Sequence, residues 1–131
     1  MILVVDASVA VEYLLRTPLG QRVAPRIEAA DLIAPELLDA EVLAVLRRIL
    51  LQGRITTVRA RAALDDLAAW EVRRLSHRPL LDEAWALRHS VSGYDALYLA
   101  AGRIHHAPVL TADGPLARAR ATGVVVENVR V

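Results

Sequence analysis

The sequence predicts an α/β layer fold with a central, mainly parallel sheet of about five strands flanked by helices. Short aliphatic runs alternate along the whole chain with longer stretches of helical periodicity, the pattern of parallel strands joined by crossover helices. The runs are almost continuously apolar, as strands buried on both faces must be. With 131 residues, 55% of them hydrophobic, the chain is expected to be one domain, residues 1–131, with a proper core.

The elements follow in order. "ILVV" (2–5) is the first strand and ends at Asp6. Residues 7–15 and 18–30 are helices, with Pro18 in a first-turn position. "LIA" (32–34) is the second strand, closed by Pro35. Residues 36–52 form a long helix with a core stripe of Leu38, Val42, Val45 and Ile49, stopped by Gly53. Thr56 or Thr57 caps a helix running to about Trp70, and "EVRRL" (71–75) alternates like a half-exposed strand. Residues 80–91 and 94–106 are helices separated by Ser92-Gly93. "PVLT" (108–111) is a strand, 115–121 a short helix and "VVVENV" (124–129) the last strand. In such a sheet ligands bind outside the carboxyl ends of the strands, where connections diverge, so functional residues are sought there.

Composition removes several function classes. The chain has no cysteine, which excludes disulfides and thiolate metal sites and suits a cytoplasmic protein. All 16 basic residues are arginine, so lysine nucleophiles, Schiff bases and the Walker-type phosphate loop are excluded. The longest stretch free of charged residues is nine residues (104–112), far short of the ~20 a membrane-spanning helix needs. "MILVV" lacks the basic start and long apolar core of a secretory signal. The high apolar content points to burial against a second chain. Leu43, Leu50 and Leu51, well off the stripe of the 36–52 helix, predict a homodimer through that helix.

Four carboxylates stand out. Asp6 ends the first strand and precedes a helix, and Asp113 in "VLTADG" does the same after the fourth; each is an N-cap or a site residue. Asp95 in "SGYDALYLAAG" lies three residues after Ser92, the spacing of a capping box. Its helix, however, is apolar on both sides: Asp95 shares a face with Leu99 and Gly102, and Leu97, Ala101 and Ile104 occupy the other. Glu41 has no capping role. In line with Leu37, Ala44 and Arg48, it is a solvated or Arg48-paired boundary residue, or a site residue. Four carboxylates converging without a cation would repel one another and raise their pKa values. A hard divalent cation, Mg²⁺ or Mn²⁺, resolves the conflict with oxygen ligands alone.

The segments "VVDASV", "PELLDAEVLAVL", "SGYDALYLAAG" and "VLTADGPLARA", in this order and at these spacings, closely resemble the PIN-domain ribonucleases. Within them the chain is similar to the VapC toxins of type II toxin–antitoxin pairs, from Ile2 to Val131. The resemblance implies a PIN-like three-layer fold and a metal-dependent endoribonuclease that hydrolyses RNA phosphodiester bonds. It makes Asp6, Glu41, Asp95 and Asp113 the acidic quartet around one or two Mg²⁺ or Mn²⁺ ions, with Ser8 and Thr111 as supporting hydroxyls. Where some relatives carry a further acidic or amide residue after the last aspartate, Gly114, Pro115 and Leu116 follow here. The implied partners are RNA and a cognate VapB-like antitoxin whose tail lies across the acidic site. The alternative is a catalytically silent PIN fold acting as a binding module.

Other residues carry weaker signals. Arg16, Arg47, Arg48 and Arg103 are RNA-binding candidates, against an ordinary reading as solvated or ion-paired side chains. His105 and His106 end a helix and diverge by about 100°, which argues against a shared metal. Trp70 and Trp85 read as core or interface, and Tyr94 and Tyr98 as a packed pair, with Tyr98 a candidate to stack a base. A phospho-receiver domain would need a lysine, and a dehalogenase-type phosphatase a second aspartate where Ser8 stands.

Overall fold

The aliphatic runs assemble into a five-stranded sheet in the computed structural model, which describes residues 1–118 and 123–130. The strands are β1 (Ile2–Val5), β2 (Asp31–Pro35), β3 (Val72–Leu75), β4 (Val109–Thr111) and β5 (Val126–Asn128). Their order is β3-β2-β1-β4-β5 and every pairing is parallel. Leu3, Val4 and Val5 at the centre are fully buried, which is why β1 carries no polar alternation.

Seven helices are described: α1 (Ala7–Leu14), α2 (Pro18–Glu28), α3 (Leu37–Leu51), α4 (Thr57–Ala69), α5 (Leu81–Ala86), α6 (Gly93–Ile104) and α7 (Gly114–Arg118). The chain builds outward from β1 to β3 and then returns to the other side of β1. Right-handed crossovers therefore put α1–α4 on one face and α5–α7 on the other, giving three layers. The reversal falls between β1 and β4, so their carboxyl ends open on a crevice at the topological switch point.

Two sequence expectations change. The helix expected over 80–91 is a 3₁₀ turn at Arg78–Leu80 followed by α5, which ends at Ala86. Beyond it the amides of Leu87, Arg88 and Ser90 bond three residues back, a tightening suited to the weakly helical Ser90-Val91-Ser92-Gly93 that follows. On α3 the buried residues are Leu38, Val42 and Leu46, whereas Val45 and Ile49 are half-buried and face a cavity. The short helix expected over 115–121 is seen as α7; residues 119–121 lie outside the described residues.

Candidate active site

The crevice is built from strand ends and helix starts. β1 hands directly into α1, and Asp6 sits between them in an extended conformation that caps the helix. Its Oδ1 accepts the Val9 amide at 3.1 Å and the Ser8 hydroxyl at 2.7 Å, and its Oδ2 accepts the Thr111 hydroxyl at 2.5 Å. Thr111 ends β4, so this last bond ties the two central strands together across the switch point. Both hydroxyls are used twice: Ser8 Oγ accepts the Ala112 amide and Thr111 Oγ1 accepts the Asp113 amide, each at 2.8 Å. Asp113 is thereby placed at the start of α7.

Glu41 and Asp95 arrive on helices. Helix α3 begins without a side-chain cap of its own; its Leu37 amide donates instead to Nε2 of His77, at 2.9 Å, forty residues away. One turn in, Glu41 Oε1 accepts the Tyr98 hydroxyl at 2.6 Å. Tyr98 is buried, three residues beyond Asp95 on α6, so one helix face supplies a carboxylate and fixes another. Ser92 caps α6 by accepting the Asp95 amide at 3.2 Å. The return bond of a capping box, from the Ser92 amide to the Asp95 carboxylate, is not formed, which leaves that carboxylate to the crevice.

Asp6, Ser8, Glu41, Asp95 and Asp113 line one cavity of about 350 Å³, with Thr111 behind them. Burial pushes Asp6 up to about 6, against the hydroxyls of Thr111 and Ser8 and the Val9 amide, which hold the anion; the Asp113 charge adds to the rise. Burial likewise raises Glu41, offset by the Tyr98 hydroxyl and reinforced by the Asp95 charge. It also raises Asp95, with the Asp113 charge adding and Ser92 opposing. Among the described residues none of the four carboxylates makes a salt bridge. An all-oxygen cluster of mutually repelling groups fits a hard cation in charge and donor type. Among the described residues no three acidic or histidine side chains are gathered closely enough to enclose an ion.

The contacts expected of Glu41 and Tyr98 are corrected. Glu41 pairs with Tyr98 rather than with Arg48. Tyr98, buried with its hydroxyl engaged, cannot stack a base, and it does not pair with the exposed Tyr94. Of the four arginine candidates only Arg48 lines the cavity. Arg16 lies against Asp66 at 4.0 Å, beside a separate cavity between α1, α2 and α4, and Arg103 pairs with Glu83 at 3.3 Å. Arg47 is exposed and lines none of this cavity. Trp70 stacks on Tyr13, whereas Trp85 is exposed with Arg88 over its ring. Arg54, Arg130 and Glu12 line the cavity unforeseen. For Tyr98 the signal was present, three residues from Asp95; for Arg130 no local pattern marks it.

A family model described as the PIN domain matches residues 3–121. Ribonuclease VapC1 of Mycobacterium tuberculosis is 45% identical over 98 residues, 74% of each chain. Ribonuclease VapC12 of the same species is 31% identical over 127 residues, covering 97% of this chain and 98% of that one. Among solved structures, FitAcB from Neisseria gonorrhoeae superposes with a TM-score of 0.71 at 19% identity over 99% of both chains. VapBC2 from Rickettsia felis, bound to a DNA fragment from its promoter, does so with a TM-score of 0.69 at 12% identity, over 97% of this chain and 98% of that one. These two likenesses bear on the fold.

Proposed function

The chain belongs to the PIN-domain family, and from that premise we propose that it is an endoribonuclease of the VapC kind, the toxin of a type II toxin–antitoxin pair. Its proposed cofactor is Mg²⁺ or Mn²⁺, held by Asp6, Glu41, Asp95 and Asp113. The observation that carries the reading is the convergence of these carboxylates, from four separate segments, on one cavity at the switch point. Burial, reinforced by neighbouring carboxylates, raises the proton affinities of Asp6, Glu41 and Asp95, as expected of a site that a cation would relieve.

A bound Mg²⁺ or Mn²⁺ would supply Lewis-acid activation of a water and of the scissile phosphate. The protein's own part is placement. Ser8 and Thr111 hold both oxygens of Asp6 in fixed directions, and the Tyr98 hydroxyl does the same for one oxygen of Glu41. Among the described residues the Asp113 carboxylate makes no such bond, and Asp95 has only the Ser92 hydroxyl beside it, so these two are the more adaptable pair. Cation binding requires these groups ionised, so affinity is expected to rise with pH through the range in which Asp6 titrates. The proposed protein partner is a VapB-like antitoxin.

The test is cleavage of RNA with Mg²⁺ or Mn²⁺, with a chelator as control, in the wild type and in Asp95→Asn. A capping role for the Asp95 side chain would cost on the order of 1 kcal/mol and leave cleavage intact. A ligand role abolishes cleavage and metal affinity while the protein stays folded. A variant that cuts like wild type but melts earlier would overturn the assignment. A wild type with no cleavage under any divalent cation would leave a silent binding module.

A further inference from the structure

Beside the carboxylates, the same cavity is lined by three arginines from two distant parts of the chain: Arg48 near the end of α3 with Arg54 just beyond it, and Arg130 after β5. They do not neutralise the cluster, since no salt bridge among the described residues joins them to Asp6, Glu41, Asp95 or Asp113. Arg48 and Arg54 are exposed, and neither is paired with a carboxylate among the described residues; Arg54 reaches only the side-chain oxygen of Gln52, at 3.2 Å. Arg130 is fixed instead. Its Nη2 donates to Glu12 at 3.0 Å and its Nε to the Ala112 carbonyl at 2.9 Å, next to Asp113. Helix α2 clamps the segment that carries it, through Arg22 on the Val129 carbonyl at 2.7 Å and the two-pronged Arg26–Glu127 pair.

We propose that Arg48, Arg54 and Arg130 are positioning residues that bind RNA phosphates flanking the one cut, so that the strand crosses the acidic cavity along this arginine-lined rim. The proposal rests on the ribonuclease reading above. A polyanion approaching four carboxylates meets repulsion that metal at the centre relieves only locally; the neighbouring phosphates need cations of their own at the edge. Guanidinium forks answer that need, as they bind phosphate through two parallel N–H donors. Arg16, Arg61, Arg74 and Arg103 line no part of this cavity and pair with carboxylates elsewhere.

The test measures KM and kcat for a short single-stranded RNA with Mn²⁺, and Kd for the same RNA by fluorescence anisotropy with Ca²⁺, each across a salt series. The variants are Arg48→Gln, Arg54→Gln, their double, Arg130→Gln and, as a remote control, Arg61→Gln. Each rim substitution is expected to raise KM and Kd about five- to tenfold and to hold kcat within about twofold. It should also flatten the slope of log Kd against log salt by about 0.7 for each phosphate left without its arginine. Arg54→Lys should restore the slope but only part of the affinity. Arg130→Gln also releases Glu12, so its melting temperature is recorded, and the exposed Arg48 and Arg54 are the decisive positions. A wild type that cuts RNA, with variants unchanged in KM, Kd and slope, overturns the rim and leaves the ribonuclease reading standing. Salt-dependent binding that the variants flatten, without any cleavage, supports the rim and overturns the ribonuclease reading. A wild type that neither binds nor cuts overturns both. Variants that cut normally but escape inhibition by antitoxin assign the rim to that protein and overturn the proposal.

Discussion

Asp6 caps α1 and stands in the crevice at once, and the two environments make opposite demands on its proton. The Val9 amide and the hydroxyls of Ser8 and Thr111 favour the anion; burial favours the acid and wins, lifting the group from 3.8 to about 6. The folded state therefore holds this proton more tightly than the unfolded chain does. In that window the folded state binds more protons, so without metal the contribution of Asp6 to stability is greatest below 3.8 and is lost as pH rises through about 6. A shift of this size is worth about 3 kcal/mol. Denaturant unfolding across the acid-to-neutral range should show the decline, and Asp6→Asn should reduce it to what Glu41 and Asp95, raised in the same direction, contribute. At neutral pH Mg²⁺ or Mn²⁺ should raise the wild-type melting temperature and leave that of Asp6→Asn unchanged. A stability difference between the metal-free wild type and Asp6→Asn that does not fall through this window would show that burial does not raise Asp6.

At the scale of elements, the site depends on helices meeting at fixed separations. Helix α2 lies on α1 through Gly20, where a Cβ would fall 2.0 Å from the Glu12 carbonyl oxygen and 2.5 Å from its carbon, backbone atoms that cannot turn aside. The close approach seats Glu12, whose carboxylate accepts from the Thr17 hydroxyl and from Arg130 at the rim. Gly20→Ala should therefore cost about 3 kcal/mol or more, the upper end of overpacking. Gly93, which opens α6, has nothing within 4 Å of its notional Cβ, and Gly93→Ala should be neutral or stabilising by under about 1 kcal/mol. Chemical denaturation of the two variants separates steric necessity from mere helix-start preference; equal effects would refute the close approach of α1 and α2. Helix α3 shows the same dependence at longer range, since its first amide is satisfied by His77 from beyond β3.

For the whole molecule, apolar surface remains after the core is built. Leu43 and Leu51 on α3 are 54% and 67% exposed, and Leu81, Trp85 and Tyr94 on the α5–α6 side are 53%, 69% and 63% exposed. Leu50, expected outward with them, is half-buried. Surface of this kind on a small chain suits a two-fold interface, and light scattering is expected to give twice the 14.3 kDa subunit mass at micromolar concentration. Leu43→Arg with Leu51→Arg should yield the monomer if α3 makes the interface, and Trp85→Arg if the α5–α6 face does. A wild-type monomer at these concentrations would refute the dimer. No helix among the described residues is long and apolar enough to cross a membrane.

Strand identity and the parallel sheet were legible in the chain itself, because they rest on local chemistry, whereas the four acidic positions were singled out together only by the resemblance to PIN-domain ribonucleases. β1 and β4 are aliphatic runs that stop at or just before an aspartate, and the capping positions of Asp6, Ser92 and Thr56 announce helix starts. Tertiary packing alone decided which side chains face one another. It turned Tyr98 inward to Glu41, gave Val45 and Ile49 to the cavity wall instead of the core, and brought Arg54 and Arg130 to the same rim. It also closed α5 early and supplied the α3 cap from His77. The physical reason is range: capping and periodicity act over three or four residues, whereas the burial that raises Asp6 and the bond from Thr111, 105 residues away, exist only once the strands are side by side.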